Sequence, residues 1–284
     1  MTEHDRSATL RAFFARYVAA EGRARDPRIE RAFAAVERER FVGPGPWSIN
    51  VPGVGYILTP SDDPAFIYQD TLVALDAERR INIGQPSWHA HWLDALALRD
   101  GETVIQVGAG TGYYTTVLAH LVGPSGRVHA YEIDPGLSTR AAQNLAQMPW
   151  VTVHGRSGIA DDLPPADAVY VNAGVTQPCR EWLDALEPRG RLLFPLHAEG
   201  TVGGMLWIGK PEHGTVWPAR FVSGAAFISC VGGQDSQTGR RLTAAFEHGG
   251  REAVKSFRLD EAIDATCWFA GDGWWLSTSA TELP

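Results

Sequence analysis

The chain has 284 residues, 44% hydrophobic and 20% charged, with a formal net charge of -8 at pH 7; this is the make-up of a globular protein with a sizeable core. No Lys/Arg run offers a phosphate track and no apolar run reaches the roughly 18 residues of a membrane span, so neither nucleic acid nor a membrane is an expected partner. Cys179, Cys230 and Cys267 lie far apart with no C-x-x-C pair, which predicts no disulfide framework and no metal, and Met1–Ala12 lacks the apolar segment of a secretory leader, so the reading is cytoplasmic.

Leu10, Phe13, Phe14, Tyr17 and Val18 fall on one helical face, predicting a helix over 7–21 with Ser7 as its N-cap. A second helix starts at Asp26-Pro27 and carries Ile29, Phe33 and Val36. Residues 43–67 are dense in Gly and Pro and read as a long irregular loop, a lid or substrate rim. Ile67–Leu75 reads as a short strand. Pro86-Ser87 then opens a helix carrying Trp88, Trp92, Leu93 and Leu96. His89 and His91, two apart, face different sides of that helix and make a poor metal pair.

The chain is organised around Thr103–Tyr114. Val104, Ile105 and Val107 with Gln106 form a buried strand, and Gly108, Gly110 and Gly112 turn the backbone sharply before a helix that Gly123-Pro124 stops. Strand, glycine turn and helix N-terminus together are a ligand platform, because side chains are absent where a cofactor approaches and unpaired N–H groups point outward. The next strand, Arg127–Tyr131, ends at Glu132, 24 residues after Gly108, where an acid accepts ribose hydroxyls. A helix over 136–147 follows. Further strands are expected at 151–154, 167–173 and 191–195, with a helix around Trp182.

Beyond 200 the alternation ceases. Met205–Ile208 and Phe221–Val231 read as antiparallel strands, Arg240–Phe257 as a charged helix, and the end is aromatic. The fold class is therefore α/β, with a mostly parallel sheet and helices on both faces. The predicted organisation is an N-terminal helical arm and loop (1–78), a cofactor-binding domain (79–235) and a C-terminal extension packed on the core (236–284).

A bare G-x-G is compatible with NAD, FAD or S-adenosylmethionine. Tyr113 occupies the sixth position of the dinucleotide pattern G-x-G-x-x-G, where helix and strand should approach closely. A single-nucleoside ligand, S-adenosyl-L-methionine, suits G-x-G-x-G with Glu132 better. An NAD-dependent reductase is disfavoured by Tyr113 and by the lack of a Tyr-x-x-x-Lys pair.

Several separated segments then agree in order: Val36-Glu37-Arg38-Glu39-Arg40-Phe41-Val42, Tyr68-Gln69-Asp70, Ile83-Gly84-Gln85-Pro86, the glycine turn with Tyr113, Asp167–Ala173 and Gly190–Pro195. In these the chain resembles the protein-L-isoaspartate O-methyltransferase family, class I methyltransferases. The resemblance implies a Rossmann-like seven-stranded methyltransferase fold. It implies an S-adenosyl-L-methionine-dependent enzyme that methylates a carboxylate, with protein repair as the named activity. It assigns cofactor contacts to Ile83, His89, Gln106, Gly108, Ala109, Gly110, Gly112, Tyr113, Glu132, Ile133, His154 and Gly155, and the acceptor side to Gly84, Gln85 and Ser87.

The chain departs from the family's pattern at Gln106, in place of an acid, and at His154, in place of the Asp of Gly-Asp-Gly. It also departs at Gly84, in place of a serine that holds the isoaspartyl group, and at Leu196-His197, in place of Val-Gly. Ser87 and Ser157 are hydroxyls available to compensate for Gly84. Protein, peptide and small-molecule carboxylates all stand as acceptors, a non-catalytic cofactor-binding adaptor is the other class of reading, and the oligomeric state is open.

Overall fold

The structure, a computed structural model, describes residues 3–260 and 262–280. The chain forms two compact units, Met1–Glu102 with Ala109–Arg156, and Thr103–Gly108 with Ser157–Pro284.

The first unit begins with α1 (Glu3–Glu21) and α2 (Pro27–Ala35), which pack through Phe14 against Phe33 with ring centroids 6.3 Å apart. Asp26 caps α2, accepting the Arg28 N–H at 2.9 Å, with Pro27 at the first helical position, as the sequence predicts. In contrast, α1 starts before Ser7. The Arg6 guanidinium makes a paired contact with Asp63, at 2.6 and 2.9 Å, that holds the first turn helical without a serine cap.

After the short α3 (Glu39–Val42), the stretch expected to be irregular contains a hairpin, β1 (Ser48–Val51) and β2 (Gly55–Leu58). Pro52-Gly53 makes its turn, with Gly53 at φ +77°, and the β-prone Ile49, Val51, Tyr56 and Ile57 flank it. The strand expected over 67–75 shrinks to β3 (Ala74–Asp76), paired with β4 (Ile81–Asn82). α4 (Pro86–Leu96) follows as predicted.

The chain passes through β5 (Thr103–Val107), a strand of the second unit, and returns with α5 (Tyr113–Val122), β6 (Arg127–Tyr131), α6 (Pro135–Asn144) and β7 (Val151–His154). Strands β6 and β7 run parallel, with Tyr131 opposite His154. Asp134 caps α6 through the Gly136 and Leu137 N–H groups.

In the second unit β5 pairs in parallel with β8 (Ala166–Val171), and β8 with β9 (Leu186–Leu196). Their fully buried Val104, Ile105, Val169, Tyr170, Leu192, Leu193 and Phe194 make its core. α7 (Arg180–Ala185) sits in the crossover between β8 and β9. Strands β10 (Gly203–Gly209) and β11 (Val216–Ala225) continue the sheet antiparallel.

The C-terminal segment supplies α8 (Ser236–His248) and then three more antiparallel strands, β12 (Ser256–Arg258), β13 (Cys267–Ala270) and β14 (Trp275–Ser277). The Rossmann-like α/β class is thus present, but the sheet is mixed rather than mostly parallel: β10 and β11 already run antiparallel, and the extension adds three further antiparallel strands beyond the seven expected. The charged helix ends earlier than its composition suggests: Gly249 and Gly250, at φ +88° and +78°, stop it. Among the described residues no helix is long and apolar enough to cross a membrane.

Candidate functional site

Three left-handed glycines shape the turn after β5: φ is +79° at Gly108, +58° at Gly110 and +93° at Gly112. A Cβ on Gly108 would stand 3.2 Å from the Asn172 carbonyl oxygen, and one on Gly112 2.9 Å from Leu145 Cδ1. The close approach of backbone that the glycines permit is therefore used. Gly112 is the N-cap of α5 and offers no side chain, so the first N–H groups of that helix are left to a ligand or to water.

Glu132 locks the turn to the end of β6. Its Oε2 accepts the Gly110 N–H at 2.7 Å and its Oε1 the Asp134 N–H at 2.9 Å. Ala109 donates to the Tyr131 carbonyl at 3.1 Å, and Glu132 itself donates to the His154 carbonyl at 3.0 Å. Glu132 is only 8% exposed. Burial raises its pKa from the usual carboxylate value, while the Asp134 and Gly110 donors pull it back down. Each oxygen keeps a second lone pair, so the carboxylate has capacity for two hydroxyl donors. Next to it Ile133 is 47% exposed, an apolar surface beside the acid.

At the end of β7, the His154 ring stacks on Tyr131, centroids 4.4 Å apart, and its Nε2 lies 3.2 Å from His129 Nδ1. Gly155 follows, its Cα hydrogen facing Ser138 Oγ, which a Cβ would approach to 3.2 Å. Tyr113 is buried between Phe33, Phe41 and the Arg38 guanidinium, and burial pushes its phenol up to about 12. It is a packing residue of α5.

The loop Ile83–Gln85 is held from three sides. Ile83 donates to the Val73 carbonyl at 3.0 Å, Gly84 donates to Asn82 Oδ1 at 2.9 Å, and the Tyr114 hydroxyl donates to the Gly84 carbonyl at 3.2 Å. Asp70 anchors the start of α4. It accepts from Gln85 Nε2 at 2.8 Å, from the Ser87 N–H at 2.7 Å and from the Ser87 hydroxyl at 2.6 Å. The Ser87 hydroxyl is therefore spent on Asp70 at the start of α4, and that of Ser157 accepts the Ile159 N–H at 3.1 Å in a non-helical segment.

His89 lies under the same loop. Its ring is buried and stacks on Tyr114, centroids 3.4 Å apart and 4° from parallel. Burial, with the nearby Arg38 charge, holds it well below the usual imidazole pKa, so it is neutral. Gly84 has φ +75°, and a Cβ there would stand 2.4 Å from His89 Nε2. Glycine at 84 and histidine at 89 are thus one structural choice.

Within the first unit, Ile83, Gly84, Gln85, Ser87 and His89 form one group, and Ala109, Gly110, Gly112, Tyr113, Glu132, Ile133, His154 and Gly155 another. The stack of His89 on Tyr114 and the bond from Tyr114 to Gly84 join the first group to α5. Gln106 and Gly108 belong to the second unit, where Gln106 is fully buried on β5 opposite Tyr170. Sequence reasoning left Asp70 and Tyr114 out of the site. The motif Tyr68-Gln69-Asp70 signalled the first, but nothing in the sequence shows that its carboxylate caps a helix 15 residues on.

A glycine turn between a strand and a helix, an acid bracketing it from the next strand, and parallel β-α-β elements define a Rossmann-like class I methyltransferase fold. The chain belongs to the protein-L-isoaspartate(D-aspartate) O-methyltransferase family, whose sequence pattern matches residues 13–234. It is 33% identical over 207 residues to protein-L-isoaspartate O-methyltransferase 2 of Anaeromyxobacter sp., covering 70% of this chain and 76% of that protein. It is 30% identical over 189 residues to the protein-L-isoaspartate O-methyltransferase of Ignicoccus hospitalis, covering 65% and 80%.

Among solved structures, a protein-L-isoaspartate O-methyltransferase superposes with a TM-score of 0.64 at 20% identity, over 85% of this chain and 69% of its own. A putative one from Plasmodium falciparum, in complex with S-adenosyl-L-homocysteine, gives 0.58 at 18% identity, over 78% and 97%. At those identities the superpositions speak to the fold.

Proposed function

We propose that this protein transfers a methyl group from S-adenosyl-L-methionine to a carboxylate of an isoaspartyl residue in a peptide or protein. The observation that carries the reading is the intact turn, with Glu132 bracketing Gly110 and Asp134, in a chain the family pattern matches over most of its length. When bound, the cofactor supplies an electrophilic methyl on a sulfonium. Within the first unit, the residues that would hold it are Glu132 at the ribose hydroxyls, Ile133, His154 and Gly155 about the adenine, and Ala109, Gly110, Gly112 and the Tyr113 main chain along the turn, with Ile83 and His89 on the preceding loop and helix.

The acceptor carboxylate, with a pKa of about 4, is already ionised at neutral pH, so no general base is needed. The chain's task is to align the acceptor and exclude water. Gly84 and Gln85 present the acceptor side, and Asp70 orients Gln85 by accepting from its Nε2, leaving the Gln85 Oε1 to accept a main-chain N–H of the substrate. Ser87 acts on the same loop through Asp70. A cytoplasmic setting belongs to this reading.

Incubation with methyl-labelled cofactor and an isoaspartyl peptide tests it. Base-labile methyl ester well above blank is expected, and none with any isoaspartyl peptide refutes the repair activity. A methyltransferase for a different carboxylic acid is the second reading. It is favoured by Gly84, whose site has no hydroxyl and whose Cβ space His89 fills; methyl ester formed on other acids alone would select it.

A further inference from the structure

The β3–β4 hairpin is tied to the turn that Glu132 brackets. Its strands form a two-stranded sheet of their own, with Ala74 opposite Asn82 and Asp76 opposite Ile81. Leu75 is the extra residue of a bulge between those two pairs, and a bulge re-aims the side chain it carries. This one carries Leu75 to the glycine turn, where a Cβ on Gly110 would stand 3.5 Å from Leu75 Cδ1. At the tip of the hairpin, Arg79 Nη1 lies 2.8 Å from Asp134 Oδ2. Gly110 and Asp134 are the two residues whose N–H groups Glu132 accepts, one on each carboxylate oxygen. Leu75 and Arg79 therefore stand beside the two ends of the acid's grip, and the segment 75–79 spans it.

With Glu132 only 8% exposed, a nucleoside reaches its oxygens only when a covering segment moves. Residues 77–80 are the exposed tip of the hairpin. Their hydrogen bonds stay within it: the Arg79 N–H donates to Asp76 Oδ1 at 3.0 Å, the Arg80 N–H to the Ala77 carbonyl at 3.3 Å, and Asn82 Nδ2 to the Arg80 carbonyl at 3.2 Å. Among the described residues, the Arg79–Asp134 ion pair is the one polar tie from this tip to the rest of the unit. A segment held by two ladder pairs and one part-exposed ion pair belongs to the low-stability end of a fold. We propose that the β3–β4 hairpin is the cover of the nucleoside site, with Leu75 lying against the bound nucleoside and the Arg79–Asp134 pair as the clasp that opens for cofactor exchange.

The proposal rests on the cofactor site proposed above and adds Leu75 and Arg79 to it. The Arg79 side chain is 56% exposed and that of Asp134 18%, and an ion pair so open to water is weak and screened by salt. The clasp is made with or without ligand. Loosening it raises the frequency of opening, hence both the association and the dissociation rate, and leaves their ratio nearly fixed. A cation that only steers a ligand changes the association rate alone, and one that only touches it changes the Kd.

The test uses the full chain and S-adenosyl-L-homocysteine, which carries no net charge at neutral pH, with association and dissociation followed by rapid mixing. Arg79→Met keeps the apolar stem and removes the clasp. Both rate constants should rise about two- to fivefold with Kd held within about twofold, and Arg79→Lys should restore most of the parental rates. The parent's rates should climb towards those of Arg79→Met as salt is raised from about 0.05 M to about 1 M, while the variant's stay flat. Leu75→Ala should weaken Kd by about three- to tenfold, and amide exchange over 77–80 in the parent should slow when the ligand is added. Unchanged rates in Arg79→Met, or a change confined to association or to Kd, overturns the clasp. An unchanged Kd in Leu75→Ala, or unslowed exchange, overturns the cover. None of these readouts needs a methyl acceptor: a chain that shows them and methylates no isoaspartyl peptide refutes the repair activity alone, and a parent that does not bind the ligand refutes the cofactor site and its cover together.

Discussion

Introducing the family's serine at position 84 should damage this protein. At φ +75° a residue with a Cβ pays about 1–2 kcal/mol in backbone strain. The new Cβ would also lie 2.4 Å from His89 Nε2 and 3.1 Å from its Cδ2, against a ring that cannot swing aside without leaving its stack on Tyr114. Overpacking of that kind adds about 1–3 kcal/mol. Gly84→Ser alone should therefore destabilise by about 2–5 kcal/mol, roughly 4–15 °C in Tm. Combined with His89→Ala, the overpacking share should vanish, giving a favourable coupling of about 1–3 kcal/mol between the two sites. Urea midpoints of parent, both singles and the double variant measure it, provided the slope m stays constant. Effects additive within about 0.5 kcal/mol would show that the ring and the glycine are independent, and the account of this loop would fall.

Glu132→Gln should weaken S-adenosyl-L-methionine binding by about ten- to a hundredfold, the worth of one or two charge-assisted hydrogen bonds, in titration calorimetry. An unchanged Kd with a lowered Tm would leave Glu132 a purely structural clamp of Gly110 and Asp134. Asp70→Ala removes the acceptor of three hydrogen bonds from Gln85 and Ser87. It should lower kcat/KM and cost about 1.5–3 kcal/mol of stability, and a variant with parental kinetics would exclude Asp70 from positioning the loop.

The pH dependence follows from buried neutral imidazoles. Burial lowers the pKa of His89 and of His197, whose Nε2 accepts the Phe227 N–H at 3.0 Å. In both, the unfolded chain takes up protons first as pH falls below about 6.5, so stability is full above that value and declines beneath it. Denaturation midpoints should fall accordingly from about pH 7.5 to about pH 5, a span that brackets the ordinary imidazole pKa, and a flat profile would contradict the burial of these rings.

The sequence made the parallel core legible because its elements are strongly patterned. Val104–Val107 and Val151–His154 sit where the apolar runs put them, and Asp26-Pro27 and Asp134-Pro135 begin helices as cap chemistry demands. The hairpin was hidden for the opposite reason. Pro52, Gly53 and Gly55 make 43–67 look irregular by composition, yet those residues are what turns Ile49–Val51 back on Tyr56–Leu58. The aromatic end was illegible because Trp275, Leu276 and Phe257 bury their faces through pairings between strands only a few residues long, which period-two alternation cannot reveal.

The site divides along the same line. Residues whose role is a backbone conformation, Gly108, Gly110 and Gly112, are readable from spacing alone. Residues whose role is to orient another group depend on partners distant in sequence. Asp70 needs Gln85 and Ser87, and Gly84 is intelligible only with the His89 ring beside it. A missing serine by itself suggests a lost acceptor contact. With His89 neutral, buried and filling the space a side chain at 84 would take, the same glycine becomes, on the function proposed above, a reshaped acceptor wall, and specificity is then to be sought in the pair rather than in either residue.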